Sequence, residues 1–167
     1  MKSSIHKIRV GVGEGAIARS PDIIIAEGLG SCVALCLYDV LQGVGGMAHI
    51  LLPHSSEYKS RKDNVSSPYL HADSALDALL KELEKSGAHR HNVIAKMAGG
   101  ARMFSVYNGE CACIGEQNIT CVRELLKGRL IPLVAVDVGG NHGRSVEFHV
   151  QSGKLVIMAI GKELMEI

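Results

Sequence analysis

The sequence predicts an α/β fold, a single-domain layered sandwich of mixed β-sheet with flanking helices. Short runs of β-branched and apolar residues alternate with glycine turns along almost the whole chain, which is typical of a strand-rich protein. Two stretches instead repeat apolar residues every three or four positions, which indicates amphipathic helices. No linker, repeat or low-complexity segment interrupts the 167 residues, so we expect one domain over residues 1–167.

Four apolar runs in the first third of the chain predict strands. Residues 8–12 and 23–26 are rich in β-branched side chains and are bounded by glycine-containing turns. Residues 32–38 and 44–52 are the next two runs, and the short segment between them predicts a β-hairpin. Four later runs of the same kind are expected to complete the sheet: residues 93–97, 130–138, 146–150 and 155–160.

The two periodic stretches predict one helix each. The first is expected to begin at Ser67-Pro68, because proline is favoured at the first helical position, and to end at Gly87. The second carries Ile119 and Val122 on its apolar face and ends at Gly128. The polar residues 54–67 are expected to form a loop that acts as a lid.

Composition excludes several classes of protein. The net charge is +1, so no basic surface for nucleic acid or an anionic membrane is expected. No run of 18 apolar residues exists, and no apolar stretch follows the first basic residues, so we predict neither membrane insertion nor a secretory signal. Five cysteines, an odd number, fit a reduced cytoplasmic protein without a disulfide framework.

Cys32 is the first candidate for catalysis. It follows Gly28, Leu29, Gly30 and Ser31, at the point where a glycine-rich turn enters a strand. Such a turn lets a substrate approach closely and leaves backbone N–H groups free to hold an oxyanion, which makes Gly30 and Ser31 candidate substrate and oxyanion residues. The alternative for any single free cysteine is a small buried core residue.

His49 is the candidate base for Cys32. It interrupts an otherwise apolar strand of the predicted hairpin. If Cys32 pairs directly with His49, or if His49 pairs with Ala34 and lies diagonally from Cys32, thiol and imidazole share one face of the hairpin, roughly 5–8 Å apart. A register shifted by one residue separates them onto opposite faces, and a core histidine bonded to a backbone carbonyl is then the alternative.

Three other groups of residues have weaker claims. Cys111 and Cys113, taken with Cys32, Cys36 and His49, have poor spacing for zinc, so we expect no metal. The glycine run at residues 11–15 lacks the lysine and the following helix of a phosphate loop and predicts a turn. Residues 139–144 predict a tight hairpin, with a wall of the active site as the alternative.

Five blocks of this sequence resemble the CheD family, the chemoreceptor glutamine deamidases of bacterial and archaeal chemotaxis. They are EGLGSCVALCLYD at residues 27–39, GGMAHILLP at 45–53, KMAGGARMF at 96–104, IGEQNI at 114–119 and DVGGNHGR at 137–144. The resemblance implies a cytoplasmic enzyme without a cofactor that converts receptor glutamines to glutamate, with Cys32 as nucleophile and His49 as base. Ala26 falls where the family usually has threonine, and we expect its backbone carbonyl to orient the imidazole.

The resemblance also implies partners and a rival function. The substrates would be methyl-accepting chemoreceptors, and the family also binds CheC, a phosphatase that it stimulates. A chain with Ala26 in the threonine position is then a candidate for a regulatory protein without catalysis. The two functions differ in thiol chemistry, because a catalytic Cys32 is expected to react well below the usual thiol pKa of about 8.5.

Overall fold

The computed structural model describes residues 4–56, 67–103 and 113–167, which form two five-stranded sheets and two α-helices. The helices are α1 (Ala72–Lys85) and α2 (Ile114–Gly128). The strands are β1 (Lys7–Arg9), β2 (Gly15–Arg19), β3 (Ile23–Leu29), β4 (Val33–Asp39), β5 (Val44–Ile50), β6 (Ile94–Gly99), β7 (Leu133–Val138), β8 (Arg144–His149), β9 (Lys154–Met158) and β10 (Met165–Glu166).

The chain is built in three layers. Sheet 1 has the order β1-β3-β8-β9-β10, and sheet 2 has the order β2-β5-β4-β6-β7. Each contains one parallel pair, β1 with β3 and β6 with β7, so both sheets are mixed. Helices α1 and α2 cover the face of sheet 2 that points away from sheet 1. The predicted layered α/β fold is therefore confirmed.

Strand β4 lies at the centre of sheet 2 and is buried on both faces. Val33, Leu35 and Leu37 pack toward the helices, whereas Ala34 and Cys36 pack into the core between the two sheets. This alternation follows from the two-residue period of a strand. Both layers are apolar, which is why the run reads as continuously hydrophobic.

Three local predictions need correction. Helix α1 begins at Ala72 and not at Pro68, because the chain before it pairs with the end of β5: the Leu70 carbonyl accepts from the N–H groups of Leu51 and Leu52. Helix α2 begins at Ile114, one turn before its expected apolar stripe. Residues 139–144 are not a hairpin, because β7 and β8 belong to different sheets.

Two further features bear on the sequence-based expectations. Strands β2 and β10 have no counterpart among the predicted strands. Residues 57–66 of the expected lid, Phe104 and Cys111 lie outside the described residues. Within the described ranges, no helix has the length and apolar character needed to cross a membrane.

Candidate active site

The turn at residues 30–32 carries Cys32 from sheet 1 to sheet 2, because it joins β3 to β4. Its three carbonyls are held in succession. The Gly30 carbonyl accepts from Ala101 N at 2.8 Å, and the Cys32 carbonyl accepts from Gly100 N at 2.8 Å. Between them, the Ser31 carbonyl accepts from Asn118 Nδ2 at 3.0 Å. With its carbonyls bound on that side, the turn keeps a fixed backbone conformation.

The backbone N–H groups of the same turn differ from its carbonyls in their hydrogen bonding. In the described residues, the N–H groups of Ser31 and Cys32 donate to no carbonyl or side chain of another residue. Buried backbone donors are nearly always paired, so free N–H groups at a thiol are unusual. They supply what a developing oxyanion requires.

The hairpin register places His49 on the face that carries Cys32. Asp39 pairs with Val44 and Ala34 pairs with His49, around a loop at residues 40–43. Continued by two residues, this register makes His49 the diagonal neighbour of Cys32, with Cα atoms roughly 7–8 Å apart. The hairpin is confirmed, and of the two registers that bring the pair together it is the one with Ala34 opposite His49.

The imidazole of His49 is buried and fixed by one hydrogen bond. Its side-chain Nδ1 lies 3.3 Å from the Val10 carbonyl oxygen. A carbonyl only accepts, so Nδ1 bears the proton, and Nε2 of the neutral ring carries the lone pair. Nε2 is buried and has no hydrogen-bond partner among the described residues, so it does not contact the Cys32 thiol closely enough to bond.

The turn that follows β1 also holds the His49 backbone. Gly13 N donates to the His49 carbonyl at 2.8 Å, and His49 N donates to the Glu14 carbonyl at 2.9 Å. The glycine run at residues 11–15 forms a turn, as predicted, and leads directly into β2. This turn supplies the group behind the imidazole, a role that no motif in the sequence had indicated.

Ala26 lies near this site in a different role from the expected one. It is fully buried in the core between the sheets, the cluster that also contains Cys32. The carbonyl that reaches His49 belongs to Val10 instead. Val10 N donates to the Ile25 carbonyl at 2.9 Å, so the chain just after β1 still runs beside β3.

Burial keeps both members of the pair neutral. It raises the pKa of the Cys32 thiol above its ordinary 9.0, an effect that the residue's own N–H only partly offsets. It lowers the pKa of His49 below 6.5, against the opposing effects of the Val10 carbonyl and Glu14. Neither the unbonded imidazole nor the turn fully offsets the loss of solvation at the thiol, and alkylation of Cys32 well below the usual thiol pKa stays a prediction.

A cleft of about 400 Å³ opens beside the turn. Gly30 lines it together with Met103, His142 and Ile160. His142 belongs to the segment 139–144, so that segment forms a wall next to the candidate site, as its alternative interpretation proposed. Apolar side chains form much of the lining, which suits part of a protein substrate.

The other cysteines are placed differently. Cys36 lies four residues after Cys32 and on the same face; it is fully buried, and burial raises its pKa far above the ordinary range. Cys113 is the residue before α2. Among the described residues, no group of three or more potential ligands is arranged to hold a metal.

Cys121 and His54 form a direct cysteine–histidine contact, unlike Cys32 and His49. Cys121 Sγ lies 3.7 Å from His54 Nδ1 and 3.5 Å from the Pro53 carbonyl. Cys121 is within α2, however, where backbone N–H groups are consumed by the helix. The backbone N–H of Cys121 is therefore not available to an oxyanion, in contrast to that of Cys32.

The comparisons with known proteins identify the family of this chain. The sequence profile of the family described as "CheD chemotactic sensory transduction" matches residues 51–159. A protein of Caldanaerobacter subterraneus named "Probable chemoreceptor glutamine deamidase CheD" is 40% identical over 162 residues, covering 96% of each chain. This chain belongs to the CheD family.

Further CheD relatives align over the same extent. Proteins with that name from Clostridium kluyveri and Moorella thermoacetica are 39% and 41% identical over 164 residues. They cover 98% and 97% of this chain, and 99% and 96% of their own lengths. Among solved structures, a Bacillus licheniformis hypothetical protein, YfiH, aligns with a TM-score of 0.45 and 14% identity, over 74% of this chain and 50% of its own.

Sequence reasoning missed two residues that hydrogen-bond to the candidate site. Val10 acts through its backbone, which no side-chain pattern reveals. Asn118 did leave a signal, because it falls on the apolar stripe of α2 with Val122 and Leu126, four and eight residues further on. A polar side chain on a buried stripe needs partners, and here they are backbone carbonyls near Cys32 and His49.

Proposed function

We propose that this chain is a protein-glutamine deamidase that converts glutamine side chains of chemoreceptors to glutamate. The proposal rests on one observation above all. A buried histidine presents an unbonded Nε2, in the correct tautomer, on the face of the hairpin that carries Cys32. The printed names of the CheD relatives supply the substrate class.

The first half of the reaction forms a thioester. The substrate carboxamide enters beside Gly30, and a change of side-chain torsion brings Cys32 Sγ to His49 Nε2. As the sulfur attacks the carboxamide carbon, the thiol proton passes to Nε2. Free N–H groups of the turn at Ser31 and Cys32 stabilise the oxyanion. The imidazolium then gives its proton to the leaving nitrogen, and ammonia departs.

The second half restores the enzyme. His49 Nε2 accepts a proton from water, and the resulting hydroxide attacks the thioester carbon. When the carbon–sulfur bond breaks, sulfur recovers a proton from the imidazolium and glutamate is released. Throughout both halves Nδ1–H stays with the Val10 carbonyl, which stabilises the imidazolium and holds the ring plane. Besides the substrate and these residues, the reaction requires only water, and no cofactor takes part in it.

The loss of the hydroxyl at position 26 favours the rival function, a regulatory protein that binds CheC without catalysis. The Val10 carbonyl, which accepts from the imidazole, supports catalysis without that hydroxyl. We therefore place catalysis first and assign the chain to the cytoplasm, where it would meet the cytoplasmic regions of the receptors.

Mass spectrometry of a chemoreceptor cytoplasmic fragment tests the proposal. Wild-type protein should convert specific glutamines to glutamate. Cys32→Ala should lower the rate by at least about 10³-fold, and His49→Ala by about 10²–10⁴-fold. Cys121→Ala is the matched control, since it removes the thiol that contacts His54, and it should retain the wild-type rate.

The possible results discriminate between the two functions. Equal conversion by wild type and Cys32→Ala would refute the covalent route through this thiol. A loss of deamidation confined to Cys121→Ala would identify Cys121, and not Cys32, as the nucleophile. No conversion by wild type, on receptors of its own organism, together with stimulation of CheC would establish the regulatory function instead.

A further inference from the structure

Asn118 joins the two halves of the candidate site. Its side-chain nitrogen donates to the Ser31 carbonyl at 3.0 Å and to the Leu51 carbonyl at 2.9 Å. Ser31 precedes the nucleophile, and Leu51 lies two residues after the base. The two hydrogens of one amide group therefore connect the turn that carries Cys32 to the strand that carries His49.

The burial of Asn118 makes this connection specific. The residue is fully buried, and its Oδ1 has no hydrogen-bond partner among the described residues. Burying an amide with an unbonded oxygen costs free energy, so leucine, an apolar residue of similar size, would suit helix packing alone at least as well. What leucine lacks is a double donor for two backbone carbonyls.

The same part of α2 packs closely against the backbone of Gly100 and Ala101. A Cβ added to Gly115 would lie 2.5 Å from the Gly100 carbonyl oxygen and 2.7 Å from the Ala101 carbonyl oxygen. Gly100 and Ala101 are the residues whose N–H groups hold the Cys32 and Gly30 carbonyls. Helix α2 thus supports all three carbonyls of the turn, and Asn118 is its only side-chain donor to them among the described residues.

We propose that Asn118 is a positioning residue that sets the distance between the Cys32 thiol and His49 Nε2. This inference rests on the proposed Cys–His deamidase. Asn118 touches neither substrate nor reacting atoms, and it acts by fixing the two backbone segments from which those atoms project. A misplacement of about 1 Å costs on the order of 10²-fold in rate.

A double-mutant cycle on thiol reactivity tests the proposal without relying on deamidation. Cys32 alkylation by iodoacetamide is measured at pH 7.5, peptide by peptide, in wild type, His49→Ala, Asn118→Leu and the double variant. In wild type the base assists the thiol, so His49→Ala should slow alkylation. In the Asn118→Leu background the base is out of reach, and the same change should alter the rate less than twofold. Additive effects would refute the positioning role.

Kinetics on the receptor fragment provide the second readout. Asn118→Leu should lower kcat by about 10–100-fold and leave KM within about threefold, because substrate contacts are unchanged. Val122→Ala, one turn further along α2 and equally buried, is the control for helix docking and should retain kcat despite a similar loss of thermal stability. If Asn118→Leu and Val122→Ala lost kcat equally, the role of Asn118 would be structural, and the proposal would be refuted.

Asn118→Ser keeps the proposal testable if Asn118→Leu fails to fold. Its hydroxyl keeps one donor at shorter reach, so kcat should fall between those of wild type and Asn118→Leu. A wild-type kcat in folded Asn118→Ser would refute the proposal. If wild type deamidates nothing while the cycle still shows coupling, the proposed function fails and the positioning of the pair by Asn118 stands.

Discussion

Raising the pH from 7 to 10 should accelerate the alkylation of Cys32 steeply when His49 is replaced by alanine. Burial raises the pKa of this thiol above 9.0, so at pH 7 no more than about 1% of it is thiolate. Iodoacetamide reacts with thiolate, and the rate should therefore climb about tenfold per pH unit until the pKa is passed. At pH 7 it should be no more than about one hundredth of its limit.

His49 adds a second feature in the wild-type protein. Because burial lowers its pKa below 6.5, at least about 90% of the ring is neutral at pH 7.5 and can assist the thiol. Below pH 6.5 protonation removes that assistance. The kcat/KM for a receptor fragment should consequently rise through an acidic limb below pH 6.5, stay level, and fall only above pH 9.0.

The assay is iodoacetamide labelling at fixed times from pH 5 to pH 10, with the label on the Cys32 peptide quantified by mass spectrometry. Cys32→Ala identifies that peptide, and a small unfolded peptide containing cysteine gives the reference rate at each pH. A labelling rate in His49→Ala that is already maximal at pH 7 would refute the neutral thiol. If the wild type alone showed such a plateau, a thiolate–imidazolium pair would be the resting state.

Three further variants have defined outcomes. Cys36→Ala should leave deamidation within about twofold of wild type, because this thiol is fully buried and burial keeps it protonated; a loss as large as that of Cys32→Ala would identify the wrong nucleophile. Asp39→Ala should lower the free energy of unfolding by about 1–3 kcal/mol in urea titrations, because Asp39 accepts from the N–H groups of Leu41 at 3.0 Å and His89 at 2.9 Å. Although burial alone would raise its pKa, these donors lower it below 3.8, so wild-type stability from this group is present above pH 3.8 and is lost as the pH falls through the lower folded value; an unchanged acid transition in Asp39→Ala would contradict this account. Gly115→Ala should cost about 1–3 kcal/mol through its clash with the 100–101 backbone, whereas Gly128→Ala, with no atom within 4 Å of the added Cβ, should not destabilise the protein, and equal melting temperatures for the two would count against the clash.

That Cys32 and His49 share one face of the hairpin was accessible from sequence, because it depends only on parity. Two registers keep the residues on one face, and the intervening register separates them. The protein adopts one of the former, with Ala34 opposite His49. Local pattern also predicted the buried stripe of α1 and the hairpin between β4 and β5.

The division into two sheets was not accessible in this way. A strand buried on both faces, such as β4, reads as continuous apolar sequence whichever elements cover it. The glycines at residues 139–140 have positive φ and indicate a tight change of direction, but their chemistry does not reveal that the chain passes from sheet 2 to sheet 1. Strand β2 is a run of five residues, Gly15–Arg19, whose pairing with β5 is long-range.

The group behind His49 was inaccessible for a related reason. Every residue has a backbone carbonyl, so Val10 carried no mark of its role, and Ala26 was preferred because it replaces a side chain used by the family. The start of α1 was misplaced because Pro68 permits a helix without requiring one. Hydrogen bonds from Leu51 and Leu52 to the Leu70 carbonyl take that stretch into the end of the sheet.

The order of these parts along the chain limits when the protein can act. Cys32 and His49 leave the ribosome early, whereas Asn118 and the rest of α2 follow much later. At about 5–20 residues per second, several seconds separate the two events. During that interval the nascent chain lacks the residue that we propose aligns its thiol and imidazole, so we expect it not to hydrolyse amide side chains of other proteins around the ribosome.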